Sequence, residues 1–175
     1  GAGVEFAEGL MKNRYVGRTF IMPTQGERER AVRLKLNPIK STVEGRTVTI
    51  IDDSIVRGTT STQLIQLIKD AGADEVHMRV GAPPIIAPCY MGIDMATREE
   101  LIAADRSTEE IREEIGADSL AYLSIDAVSA VLEESRGDLC LGCVTGAYPY
   151  DIDGETADRD VTRPTILGDS AAADD

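Results

Sequence analysis

Two hydrophobic rhythms alternate through the middle of the chain. Thr47–Ile51 (TVTII) is apolar or β-branched throughout and predicts a buried strand. Beyond a loop of small residues, Leu64, Ile65, Leu67 and Ile68 recur at helical spacing and Gly72 ends the pattern, which predicts a helix over 61–71. Val76, Met78 and Val80 then alternate with polar or charged residues, predicting a second strand over 75–80. Strand, helix and strand at this spacing form a βαβ unit, so the fold class is α/β, with a parallel sheet covered by helices.

Weaker signals continue the alternation. Thr97 with Glu100, and Ser107 with Glu110, have the spacing of capping boxes and predict two short helices, the second closing at Gly116. Leu120–Leu123 is a short strand candidate, and Ser124 is placed to cap a helix over 125–133. Pro83, Pro84 and Pro88 exclude ordinary helix from 82–90. No internal repeat is visible.

The 175 residues suffice for one domain with a real core, and 42% hydrophobic content is ordinary for a soluble globular protein. No run nears the roughly 18 apolar residues of a membrane span, and GAGVEFAEGL has neither the basic start nor the apolar stretch of a signal peptide. A cytoplasmic protein without membrane contact is the expectation. The start lacks a methionine and suggests a piece of a longer chain.

The net charge of −13 is unevenly spread. Residues 151–175 hold eight acids against two arginines in a Gly/Ala/Asp-rich run, which reads as a solvated, disordered tail. Lys12 to Arg46 carries nine basic residues against three glutamates, either a solvated charged face or a surface that meets a polyanion such as a phosphorylated ligand. The acidic total argues against nucleic-acid binding. With few lysines, it also resembles proteins adapted to high salt.

The chemistry-bearing stretch is VTIIDDSIVRGTTS, Val48 to Ser61. It joins the end of a predicted parallel strand to the start of a helix, where open α/β sheets bind ligands and where helix N–H groups attract anions. Gly58 allows close backbone approach, and Ser54, Thr59, Thr60 and Ser61 add hydroxyl donors. No lysine follows the glycine as in a Walker loop, and the three glycines of the dinucleotide fingerprint are missing. Successive strand residues point to opposite faces, so Asp52 and Asp53 need not crowd each other. Two acids before a phosphate loop suit the vicinal hydroxyls of a ribose, directly or through magnesium. An ordinary polar turn would show the same spacing.

Cys140 and Cys143 form a CxxC, with Cys89 far upstream after Pro88. Spacing leaves open a redox pair, half a zinc site or part of an iron–sulfur site. His77, the one histidine, lies inside a predicted strand and reads as a packed or surface residue rather than a ligand.

IIDDSIVRGTTS resembles the phosphoribosyl diphosphate (PRPP) signature of the type I phosphoribosyltransferases: apolar residues, two acids, then a small-residue loop for the 5′-phosphate. With MKNRYVGRTFI (Met11–Ile21), VRLKLN (Val32–Asn37), YMGIDMATREELIA (Tyr90–Ala103) and IREEIGADSLAYLS (Ile111–Ser124), it resembles the C-terminal half of the amidophosphoribosyltransferases. The match keeps its order to about Tyr150, so residues 1–150 are expected to form the C-terminal part of a phosphoribosyltransferase domain.

The resemblance implies a reaction of purine synthesis. Ammonia released from glutamine by a separate glutaminase domain displaces diphosphate from PRPP, with magnesium, to give phosphoribosylamine. Asp52 and Asp53 would meet the ribose hydroxyls and Mg2+, while Ser54, Ile55, Val56, Arg57, Gly58, Thr59 and Thr60 would cradle the 5′-phosphate. Residues 12–36 resemble the family's flexible lid, with Arg14 and Tyr15 as candidate contacts. APCYMGID and CLGCVTGAYP resemble the places where iron–sulfur members carry cluster ligands, making Cys89, Cys140 and Cys143 candidates for a [4Fe-4S] cluster whose fourth cysteine lies upstream of Gly1.

The resemblance further implies a homo-oligomer inhibited by purine nucleotides. The glutaminase domain and the first part of the phosphoribosyltransferase domain have no counterpart in the sequence. An incomplete sheet with an exposed edge, and no glutamine-dependent activity of this chain alone, are therefore expected. A non-catalytic PRPP-binding regulator, or a truncated paralogue serving as a structural partner, are the alternatives. The absence of a DNA-reading domain and the lid-like KNRYVGRTF weigh against the regulator.

Overall fold

The computed structural model describes residues 3–12, 36–95 and 97–149. The candidate lid contacts Arg14 and Tyr15, and the acidic run 151–175, lie outside the described residues. The described elements are β1 (Leu10–Lys12), β2 (Leu36–Pro38), α1 (Lys40–Val43), β3 (Thr47–Asp52), α2 (Thr59–Asp70), β4 (Glu75–Val80), α3 (Thr108–Ile115), β5 (Ser119–Tyr122), α4 (Ile125–Leu132) and α5 (Gly142–Thr145). Single 3₁₀ turns occupy Arg98–Glu100 and Arg136–Asp138.

The main sheet has the order β3-β4-β5. Its pairing is parallel, because the rungs advance along both strands together: the Asp74 and Gly81 N–H groups donate to the Arg46 and Asp52 carbonyls, and those of Asp118 and Leu123 to the Val76 and Val80 carbonyls. Central β4 buries Val76, Met78 and Val80, as its alternation predicts. The other long apolar run behaves differently. Strand β3, expected to be buried, is at the sheet edge, and its residues alternate between exposed and half-buried, with Ile51 80% exposed.

The described chain falls into two compact units. One comprises, among the described residues, 3–12, 36–50, 58–78 and 112–119. Its buried side chains include Val43, Leu64, Ile65, Ile68, Val76, Met78 and Ile115, so the apolar face of α2 is spent on the core. A separate antiparallel ladder, Leu10↔Pro38 to Lys12↔Leu36, holds the two ends of the 12–36 segment side by side. His77 is satisfied, with Nδ1 2.8 Å from Ser119 Oγ and Nε2 3.2 Å from a Glu75 carboxylate oxygen.

The other unit comprises, among the described residues, 51–57, 79–95, 97–111 and 120–149. Residues 81–97 hold no regular element among those described, in keeping with the three prolines. The stretch is nonetheless packed, because Ile85, Met95 and Leu101 form a buried cluster against which Val56, Cys89, Ala104, Cys143 and Val144 lie.

Local capping signals are realised unevenly. The Ser107 N–H and hydroxyl both donate to the Glu110 carboxylate at 2.8 Å while the Glu110 N–H reaches back to Ser107 Oγ, a complete capping box at the start of α3. Ser124 Oγ accepts the Ala127 N–H and caps α4. The Thr97–Glu100 pair is no capping box: only a 3₁₀ turn forms, Thr97 makes no side-chain cap, and the Glu100 carboxylate is held by Arg57 instead.

Candidate functional site: a phosphate-type loop and a thiol cluster

Strand β3 ends at Asp52, and as the chain enters the loop each of the two acids accepts the next residue's N–H. The Asp52 carboxylate accepts the Asp53 N–H at 3.1 Å, and the Asp53 carboxylate accepts the Ser54 N–H at 2.9 Å. Asp52 is half-buried and Asp53 exposed. Burial raises the Asp52 pKa; the Asp53 amide bond opposes this, and the Asp53 charge and side chain add to it. The strand end therefore separates the two acids less completely than alternation alone suggests.

Ile55 anchors the loop, only 2% exposed. Val56 packs against the Ile85, Met95 and Leu101 cluster, and its carbonyl accepts the Ile102 N–H at 2.9 Å. The Arg57 guanidinium donates to a Glu100 carboxylate oxygen at 2.9 Å. Gly58 then adopts φ +77°, a left-handed conformation that suits glycine, and stands as the N-cap of α2. The first N–H groups of a helix lack intrahelical acceptors, so the first turn of the 12-residue α2 presents donors and a positive dipole end. Ser54 and Thr59 are half-buried and Thr60 is exposed, whereas Ser61 is buried at 3%. The predicted hydroxyl donors are thus reduced to the first three.

The structure also brings the cysteine-bearing segments together. Cys143 and Cys89 pack on the same apolar cluster, and the Cys143 carbonyl accepts the N–H groups of Ile86 and Ala87. Burial pushes the Cys143 thiol up, and the neighbouring Cys89 and Cys140 push it further. All three thiols are free, Cys140 being exposed. They are electrostatic neighbours, yet among the described residues no three His, Cys, Asp or Glu side chains converge tightly enough to hold a metal ion.

Tyr148 joins these segments, for its hydroxyl donates to the Pro88 carbonyl beside Cys89. Its ring meets Tyr90 edge to face, with centroids 4.9 Å apart. A Cβ on Gly142 would stand 2.4 Å from the same ring. The glycine between the two C-terminal cysteines therefore makes room for Tyr148. Burial is the main cause that pushes the tyrosine up to about 12.

Glu100 and Ile102 carry no signal in the sequence that links them to the loop, and nothing in CLGCVTGAYP shows that the Tyr148 ring stands over Gly142. Arg57 and Glu100 are 43 residues apart, and Pro88 and Tyr148 are 60 apart.

Comparison with known proteins follows the same outline. No protein-family model matches the sequence. The chain is 56% identical over 162 residues to an amidophosphoribosyltransferase of Methanothermobacter thermautotrophicus, covering 93% of this chain and 34% of that protein. Over 156 residues it is 58% identical to an amidophosphoribosyltransferase of Archaeoglobus fulgidus, covering 88% and 34%. Among solved structures, glutamine PRPP amidotransferase from B. subtilis, complexed with ADP and GMP, superposes with a TM-score of 0.72 at 51% identity, covering 85% of this chain and 33% of that one. A structure described as the allosteric regulatory enzyme of purine biosynthesis gives 0.73 at 46% identity, covering 93% and 35%. The chain spans about a third of the length of the curated relatives it matches.

Proposed function

We infer that this chain, related by sequence and by its type I phosphoribosyltransferase fold to one third of the amidophosphoribosyltransferases, is the PRPP-handling part of such an enzyme. The reaction is the transfer of glutamine-derived ammonia to PRPP, yielding 5-phosphoribosylamine and diphosphate in purine biosynthesis. The observation that carries this reading is the continuous run from Asp52 to Thr60. Two carboxylates at a parallel strand end are followed by a left-handed glycine and an open helix N-terminus.

The loop's amides and the Ser54, Thr59 and Thr60 hydroxyls hold the 5′-phosphate, and Asp52 and Asp53 take the ribose hydroxyls. Magnesium is commonly held by one or two carboxylates together with substrate phosphates, so the Asp52–Asp53 pair fits it. When bound, it offsets charge on the departing diphosphate. Segment 12–36, with Arg14 and Tyr15, serves as the lid that excludes water and so favours ammonia as the nucleophile. The ladder at its base supports this role.

Cys89, Cys140 and Cys143 would supply three of the four thiolates that a [4Fe-4S] cluster takes. The packing of Cys89 and Cys143, from two distant segments, on one apolar cluster favours this use over an isolated redox pair of Cys140 and Cys143. A homo-oligomer and feedback by purine nucleotides complete the proposal; the ADP and GMP bound to the B. subtilis relative support the second.

The test is a titration of the full-length protein with PRPP and magnesium, comparing Asp52→Asn and Asp53→Asn. Weakened magnesium-dependent binding in both variants is expected. Unchanged affinity and rate in both would remove the acids from the ribose and metal role. Iron and sulfide analysis of anaerobically purified protein decides the thiols' part, and zinc in place of iron would overturn the cluster.

A further inference from the structure

The geometry points to Glu100 as a positioning residue that holds the phosphate loop in its binding shape through Arg57. This rests on the reading of Asp52–Thr60 as the 5′-phosphate site.

Three bonds within one compact unit fix residues 52–57, the part of the loop in that unit, from outside. The Gly81 N–H donates to the Asp52 carbonyl at its entrance, the Ile102 N–H donates to the Val56 carbonyl at its middle, and the Arg57 guanidinium meets the Glu100 carboxylate at its exit, each at 2.9 Å. Two of these come from the single stretch 100–102. That stretch is itself braced, since the Arg98 guanidinium donates to the Ala104 carbonyl and to the Asp105 carboxylate, both at 2.9 Å. Buried Leu101 and Ile102 hold it to the interior, 3% exposed each.

Arg57 is the one cation of the 5′-phosphate loop, and its direction decides how the loop recognises an anion. A guanidinium held by Glu100 is neutralised, so it acts as a strut. Recognition then falls to the backbone amides around Gly58 and the first turn of α2, which bind an anion well only when fixed in advance. Arg57 and Glu100 side chains are 34% and 43% exposed, and a pair so exposed adds little to global stability. Its contribution is placement. The same bond explains why Glu100 caps no helix: its carboxylate faces the loop.

The experiment uses the full-length protein with ribose 5-phosphate, which carries the 5′-phosphate and lacks the diphosphate. Its affinity, and amide hydrogen exchange without ligand, are measured for wild type, Glu100→Gln, Arg57→Lys and the double variant. Each single variant should weaken ribose 5-phosphate binding about threefold to tenfold, with the double variant no worse than the weaker single. Exchange should quicken over residues 54–60 in all three, with protection in β4 and in α2 beyond its first turn retained. Tighter binding by Glu100→Gln, additive losses, or loop exchange equal to wild type would each overturn the strut. Wild-type protein that binds neither ribose 5-phosphate nor PRPP would overturn the phosphate-site reading instead, while the exchange comparison still decides whether Glu100 fixes the loop.

Discussion

The phosphate-type loop and the thiol cluster are built by opposite routes. The loop's ligand-facing groups are consecutive in sequence, Asp52 to Thr60, and most of their geometry follows from a strand end, one left-handed glycine and a helix start. The thiols come from positions 89, 140 and 143, and Cys89 and Cys143 share a neighbourhood only because chain with little regular structure packs on Ile85, Met95 and Leu101. Continuous sites take most of their geometry from local backbone chemistry and are braced by long-range bonds such as Arg57–Glu100, whereas discontinuous ones depend on packing throughout. Substitutions should therefore damage the two regions through different forces.

The largest expected effect is at the thiols. Gly142→Ala places a methyl group against the Tyr148 ring, so the ring or the CxxC backbone must move. Overpacking of this kind costs about 1–3 kcal/mol, read as a lower denaturation midpoint. Ribose 5-phosphate affinity should stay near wild type, and a loss there equal to the loss of stability would break the separation of the two regions.

Gly58→Ala is the corresponding change in the loop. Holding a side chain at φ +77° costs about 1–2 kcal/mol, borne locally, so phosphate affinity should fall about tenfold while the reactivity of the three thiols is unaltered. Titration with a thiol-specific reagent alongside calorimetry checks both halves.

A smaller effect is expected from Tyr148→Phe, which removes the bond to the Pro88 carbonyl and keeps the edge-to-face contact with Tyr90. About 1 kcal/mol of stability should be lost. Disulfide trapping between Cys89 and Cys143 should become slower, and an unchanged trapping rate would show that packing alone aligns the segments.

The smallest effect serves as a control in the scaffold. Asp118 accepts the Val76 N–H at 2.7 Å and pairs with Lys69 at 3.1 Å, and these hold its carboxyl below the usual carboxylate range, the amide bond foremost. A depressed folded pKa gives stability that is present in full above the unfolded value, near 4, and is lost as pH falls through the folded value. Asp118→Asn should flatten this acid limb without altering loop affinity or thiol reactivity at neutral pH. Acid titration of stability with both binding assays would show it.

The sequence by itself determined the βαβ core, since β4, α2 and the stop of α2 at Gly72 follow from period and glycine placement. It also determined the Ser107–Glu110 and Ser124 caps, and the chemical character of Asp52–Thr60, because each depends on neighbours within a few residues. Tertiary structure decided the rest. Among the described residues it set β3 at an edge with Ile51 in solvent, it diverted Glu100 from capping a helix to holding Arg57, and it half-buried Asp52 beside an exposed Asp53. It also seated Tyr148 over Gly142 between the cysteine-bearing segments. Burial, long-range ion pairs and ring packing depend on what the fold brings alongside each residue. Periodicity along one strand or helix carries no record of that.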